Sequence, residues 1–358
     1  MTWWNRGLIE RLGLHAPSAR RKGREGLIER ILDTAATAEA EGDPDTMRSC
    51  SYKLIRYELY ERAWELRVRA VRLKQQRPIP EWEGDDIAGR DILVESYAPK
   101  HRIGEELRLA RFIAPVANRA RRCIVLAEHR LVPLLRRSFP AVDVRPRGIN
   151  DAAAFAEADV AAYYETIALR FGKNADEIRR AFVSLRADPK LVTSIRRRYR
   201  RASDAPLIGL SWGSSNESKV LPSLEDWAPL LSWSAANFVS LQYGDIRRDL
   251  EVLRSFAGSR VIHDQEIDQL TDLDGFAAQI GALDAVVSIS NTAIDMAGML
   301  GVPTLHIRDD KSSAIWPQSG PSPWYPGMVF LYKQKRPWPE LFAEARGLLE
   351  QMVSRVAA

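Results

Sequence analysis

Apolar positions along the chain follow two different rhythms. Over roughly the first 77 residues they recur at steps of three and four. One series runs through Leu27, Ile28, Ile31, Leu32 and Ala35, and another through Tyr57, Tyr60, Ala63, Trp64 and Val68. That period predicts amphipathic helices. Glu41-Gly42-Asp43-Pro44-Asp45 breaks the pattern into separate helices, and Pro78-Ile79-Pro80 ends the region. The first 80 residues therefore read as a helical region, similar to one or two tetratricopeptide hairpins. A free-standing array needs about three copies, so this is a cap and not a solenoid.

After Pro80 the rhythm changes to short apolar runs separated by helical stretches. Asp91–Glu95, Arg122–Ala127 and Val142–Val144 predict strands, with helices from near Gly104 and over Leu131–Ser138. Residues 151 to 200 read as mostly helical, and Ala202-Ser203-Asp204-Ala205-Pro206 as a linker. A second series follows, with strands at Leu207–Trp212, Phe238–Leu241, Arg260–Ile262, Ala285–Ser290 and Pro303–Ile307. Helices are expected over Leu273–Leu283, Thr292–Leu300 and Trp338–Val356, the last folding back over the first lobe. Strand–helix alternation predicts parallel sheets covered by helices. The expected fold class is α/β, with two Rossmann-like lobes and a central cleft behind a helical N-terminal region. The expected segments are 1–80 helical, 81–200 first lobe, 205–345 second lobe and 346–358 the end of the last helix.

At 358 residues, 46% hydrophobic and 28% charged, the chain has the length and composition of a folded protein of two or three domains. No run of about 18 apolar residues is present, and the N-terminus lacks the apolar core of a signal peptide. Cys50 and Cys123 are far apart, and Cys123 lies in an apolar strand, which fits reduced thiols and a cytoplasmic location. Trp3 and Trp4 pack on the first helix or touch a membrane surface or partner. The net charge of +5 is concentrated in Arg20–Arg24, Arg119–Arg122 and Arg196–Arg201. These patches are either solvated helix faces or docking surfaces for a membrane surface or an acidic partner. No nucleic-acid-binding module accompanies them, so no nucleic-acid partner is expected.

Two segments carry chemistry. In Ser288-Ile289-Ser290-Asn291-Thr292-Ala293-Ile294-Asp295 a strand ends in small polar residues and a helix starts at once. Free N–H groups at a helix start attract anions, and Asn291 or Thr292 can cap the helix. In Ser211-Trp212-Gly213-Ser214-Ser215-Asn216-Glu217-Ser218-Lys219 a polar loop with one lysine follows a strand. It can wrap a diphosphate, although the P-loop spacing is absent. Asp272-Leu273-Asp274 opens a helix and reads as a cap. His15, His101, His129, His263 and His306 have no metal-ligand spacing, so no metal and no cofactor are expected.

As a set, Gly209-Leu210-Ser211-Trp212, the loop with Lys219, Phe238 to Asp245, Ala282-Leu283-Asp284, Ser288 to Thr292, Ala297 to Pro303 and Ser322-Pro323-Trp324-Tyr325-Pro326 resemble one family. It is the C-terminal lobe of bacterial tetratricopeptide-linked GT-B glycosyltransferases, similar to ADP-heptose heptosyltransferases and O-linked N-acetylglucosamine transferases. The resemblance covers about residues 205 to 345 and extends weakly to Trp82 through Val144 and to the helical N-terminus. It implies an inverting, metal-independent transfer of a sugar from a nucleotide-diphosphate donor to a hydroxyl of a protein or glycan. It places Lys219 on the donor diphosphate, and Asn291, Thr292 and the N–H of Ala293 under the phosphates. Ser211, Ser214 and Gln242 complete the expected donor site. Glu105, in Gly104-Glu105, stands where the family has a candidate base. Asp295 departs from the family's histidine, which implies hydrogen bonds to ribose or sugar hydroxyls. The loop Ser96 to Ile103 also departs from a short Gly-containing turn. A non-catalytic relative that binds a partner, and a nucleotide-sugar epimerase, are the competing readings.

Overall fold

The computed structural model describes residues 21–357 apart from 76, 97–102, 202, 217–218, 310–314 and 318–320. The expectations for Trp3, Trp4, Arg20 and most of the loop after Ser96 lie outside the described residues. The chain divides into two compact units. Unit 1 holds residues up to 132, 139–183 and 313–326; unit 2 holds 133–138, 184–312 and 327 onward.

Among the described residues, unit 1 opens with three helices, α1 (Arg21–Glu41), α2 (Pro44–Arg56) and α3 (Tyr60–Lys74). Asp43 accepts from the N–H groups of Asp45 and Thr46, and Pro44 follows it at the first helical position, so this cap sets where α2 starts. Of the expected stripes, Ile31, Ala35, Tyr57, Tyr60, Ala63, Trp64 and Val68 are buried and Ile28 and Leu32 half-buried, whereas Leu27 is exposed. The sheet follows: β1 (Asp91–Glu95), α4 (Ile103–Leu109), α5 (Ile113–Ala117), β2 (Arg122–Ala127), α6 (Val132–Ser138), β3 (Asp143–Pro146), α7 (Asp151–Ala156), β4 (Val160–Tyr163), α8 (Tyr164–Phe171) and α9 (Ala175–Arg180). The helix α6 lies almost wholly in unit 2. The four strands are parallel in the order β3-β2-β1-β4.

Unit 2 contains α10 (Pro189–Tyr199), β5 (Leu207–Ser211), α11 (Ala228–Leu231), β6 (Asn237–Ser240), α12 (Arg247–Ala257), β7 (Val261–Ile262), α13 (Leu273–Gly281), β8 (Ala285–Ser288), α14 (Thr292–Leu300), β9 (Thr304–Arg308), β10 (Met328–Tyr332) and α15 (Trp338–Ala357). Its six strands are all parallel, in the order β10-β9-β8-β5-β6-β7. Strands buried on both faces explain the unbroken apolar runs that the sequence shows at 207–211 and 285–288.

Two strands were not expected. Val160–Tyr163 falls in a stretch that reads as helical, because two alanines sit between an Ala-rich helix and α8. Met328–Tyr332 is a bare apolar run, a pattern that buried helix and buried strand share. The last helix also differs from expectation. It packs within unit 2, where Phe342 meets Trp227 at 4.2 Å between ring centroids.

Candidate functional site

In unit 2 the chain runs β5, β6, β7 in one direction, then returns to place β8 on the other side of β5. The connections after β5 and β8 therefore leave in opposite directions. In open parallel sheets such a switch point opens a crevice at the carboxyl ends of the strands. The two segments singled out by sequence are the connections after β5 and β8, and Ser211 and Ser288, their last residues, are register partners.

One hydrogen-bond network joins the two connections. The amide of Asn291 donates to Ser211 Oγ at 2.7 Å and to the Gly213 carbonyl at 3.2 Å. Gln242, just beyond β6, accepts through one oxygen from Ser211 Oγ at 3.1 Å, Trp212 N at 3.1 Å and Gly213 N at 2.7 Å. A side chain at position 213 would put its Cβ 2.9 Å from the Gln242 amide nitrogen, so glycine is what permits this approach. The ammonium of Lys219 donates to Ser214 Oγ at 2.9 Å and to the Ser290 carbonyl. Ser290 Oγ in turn bonds the buried His306 ring at Nε2, at 2.7 Å. A small cavity beside Lys219 is lined by Val220, Leu221, Ser290, Ile307, Asp309 and Trp338.

Six of the expected donor-site residues are thus brought together: Ser211, Ser214, Lys219, Gln242, Asn291 and Ala293. Thr292 is the first residue of α14 and half-buried. Asn291 Oδ1 already accepts the N–H of Ala293 at 3.1 Å. That donor closes the helix cap, so the polarity of the helix start rests on its dipole and not on a vacant Ala293 N–H. Asp295 is buried in the first turn of α14. Burial lowers the proton affinity of Lys219, while the charges of Asp295 and Asp309 oppose that effect.

Glu105 is elsewhere, in the first turn of α4 in unit 1. It pairs with the buried Arg67 of α3 and, at 3.2 Å, with Arg48 of α2. The Tyr52 hydroxyl lies 3.1 Å from both carboxylate oxygens. Arg67 also reaches Glu165 at 3.1 Å. Burial would raise the proton affinity of Glu105, but Arg67 and Arg48 outweigh it and hold the carboxyl well below the usual range. A general base must gain a proton in the transition state. A carboxylate held ionised by two guanidiniums is poorly suited to that task, so the geometry speaks against the base expected at this position and for a bolt between α2, α3 and α4.

The arginine patches are likewise largely answered inside their own units. Arg196 and Arg200 pair with Asp284, Arg198 with Asp264 and Glu266, Arg121 with Asp91, and Arg122 with Asp143 and Glu157. Arg119 lies over the Phe171 ring. These partners come from distant elements, which the sequence alone does not reveal. Asp272 caps α13 by accepting from Gly275 N at 2.8 Å. Cys50 and Cys123 are buried free thiols. Among the described residues no group of three His, Cys, Asp or Glu side chains forms a metal site, and no helix is long and apolar enough to cross a membrane.

The architecture has counterparts among solved structures. The ADP-heptose LPS heptosyltransferase II of E. coli superposes with a TM-score of 0.54 at 14% identity, over 75% of this chain and 100% of that one. A family 9 glycosyl transferase from Veillonella parvula gives 0.53 at 11% identity, over 77% and 99%. The fold is therefore GT-B, α/β with two parallel sheets, and both neighbours come from the glycosyltransferase group that residues 205 to 345 resemble. In sequence, the chain is 28% identical to Protein FlbA of Caulobacter vibrioides over 286 residues, which is 74% of this chain and 47% of FlbA. It thus spans about half the length of that curated relative. No protein-family model matches the chain.

Proposed function

We propose that this protein transfers a sugar from a nucleotide-diphosphate donor to a hydroxyl of a protein or glycan acceptor, with inversion and without a metal ion. The observation that carries the proposal is Lys219, half-buried on neutral oxygens at the β5–β8 switch point beside the start of α14. In the reaction the bond from the anomeric carbon to the diphosphate breaks, and its electron pair leaves with the diphosphate. The acceptor oxygen bonds the opposite face of that carbon, and its proton passes to water or to the departing diphosphate. The growing charge on the leaving group is met by the Lys219 ammonium and by the positive end of the α14 dipole. An incoming diphosphate also replaces the solvation that burial has taken from Lys219.

Calorimetry with a nucleoside diphosphate in chelator-containing buffer tests this reading. Lys219→Ala should weaken binding about tenfold, the value of one charge-assisted hydrogen bond, while unfolding stability stays within about 1 kcal/mol of the parent. Equal affinity for parent and variant would overturn it.

A second reading, a non-catalytic GT-B relative, draws support from Asp295 and Asp309, whose negative charges act on Lys219. Carboxylates there oppose an incoming diphosphate. Transfer to an acceptor favours the enzyme, binding without turnover favours the relative, and donor turnover without acceptor marks an epimerase.

A further inference from the structure

Unit 1 has a switch point of its own. The chain places β2 and β3 on one side of β1 and β4 on the other. Glu95 ends β1, Tyr163 ends β4, and the two are register partners. Arg77, three residues beyond α3, reaches this spot. Its Nε donates to Glu95 Oε1 at 3.0 Å, and its guanidinium carbon lies 3.2 Å from the Tyr163 ring centroid. The Tyr163 hydroxyl bonds Gln75 Oε1 at 2.9 Å. A second guanidinium, that of Arg147 just after β3, donates to the Ser96 carbonyl at 3.2 Å and to Glu106 at 3.3 Å.

The Arg77 side chain is 5% exposed, yet Nη1 and Nη2 are buried with no hydrogen-bond partner among the described residues. Buried N–H donors are almost always satisfied, and a charged one left unsatisfied is costly. The Tyr163 ring holds one face of the guanidinium and Glu95 takes its Nε–H, which leaves the Nη1–Nη2 edge to supply two parallel bonds. We infer that Arg77 is an oxyanion site, which takes the carboxylate or phosphate group of a small anionic ligand at the β1–β4 switch point. The inference rests on this geometry and not on the transferase reading.

Calorimetric titration of the full chain at constant ionic strength, with glucuronate, glucose 6-phosphate and glucose as probes, tests it. At least one of the two anions should bind saturably while glucose does not, and the anion that binds identifies the group. The double variant Arg77→Gln/Glu95→Gln removes both charges together and should lose about tenfold or more in affinity. Arg77→Lys keeps the charge and loses the fork, so it should also bind several-fold more weakly, which covers the case in which the double variant does not fold. Lys219→Ala should bind the anion as the parent does, which separates this site from the one in unit 2. The inference is overturned if neither anion binds the parent better than glucose, or if the folded Arg77 variants bind as well as the parent.

Discussion

Around Glu105 in unit 1, opposite charges meet directly. Around Lys219 in unit 2, the hydrogen-bond partners are neutral oxygens. Glu105 receives two guanidiniums and a phenol from helices more than 30 residues away in sequence, Arg67 buried and Arg48 and Tyr52 partly so. Lys219 is held by a serine hydroxyl and a backbone carbonyl, with carboxylates acting on it only through their field. Both groups follow a β-strand in the sequence, so sequence position alone gives them equal claims to chemistry. The difference in partners separates them. A buried ion pair is expensive to break and leaves little for a substrate to gain, whereas a cation on neutral oxygens keeps most of its attraction for an anion.

The contrast should show first in stability. Arg67→Ala would strand Glu105 and Glu165 without their buried partner and should cost about 3–5 kcal/mol in denaturant unfolding. A loss below about 1 kcal/mol would break the comparison, because unit 1 would then not depend on this cluster.

A pH series sharpens the same point. The pKa of Glu105 in the folded chain is held below the 4.5 of an ordinary glutamate. A carboxyl with a depressed folded pKa stabilises the fold fully at pH above the unfolded value and loses that contribution as pH falls toward the folded one. The stability gap between the parent and Glu105→Gln should therefore be flat around neutrality and shrink only in acid, below 4.5. A gap that changes between about pH 6 and 8 would contradict the locked, ionised state.

The smallest effect is expected at Asp295. The first turn of α14 stabilises its carboxylate by about 0.3–1 kcal/mol, while a diphosphate nearby repels it. With the Asp295 carboxylate turned from the phosphates toward ribose or sugar hydroxyls, Asp295→Asn should keep diphosphate binding within about threefold but lose discrimination between nucleotides with and without ribose hydroxyls or a sugar. Much tighter diphosphate binding would instead mark Asp295 as an electrostatic block and favour the non-catalytic reading.

The parts of this molecule that were legible in sequence are those set by local rules. The runs at 91–95, 122–127, 207–211 and 285–288 declare themselves because strands buried on both faces need continuous apolar residues, and Asn291 and Gly301 bracket α14 with ordinary cap chemistry. Asp159 to Tyr164 hid a strand because alanine carries no strand signal, and only pairing with β1 and burial decide its state. Lys219 and Asn291 could be picked out because each follows a strand in a small polar loop. The acceptor role of Gln242 toward three donors could not, since it depends on β6 lying next to β5. Glu105 stands at a helix start, and nothing in its neighbourhood announces Arg48, Tyr52 and Arg67. Arg77 carries no local signal either, because its partners Glu95 and Tyr163 meet it only in the folded sheet.

The most direct test is a crystal structure of the chain with a nucleoside diphosphate. The account predicts the terminal phosphate within hydrogen-bond reach of Lys219 Nζ at the start of α14, with Asn291 still capping the helix. A diphosphate bound away from Lys219, with the ammonium still on the Ser290 carbonyl, would contradict it.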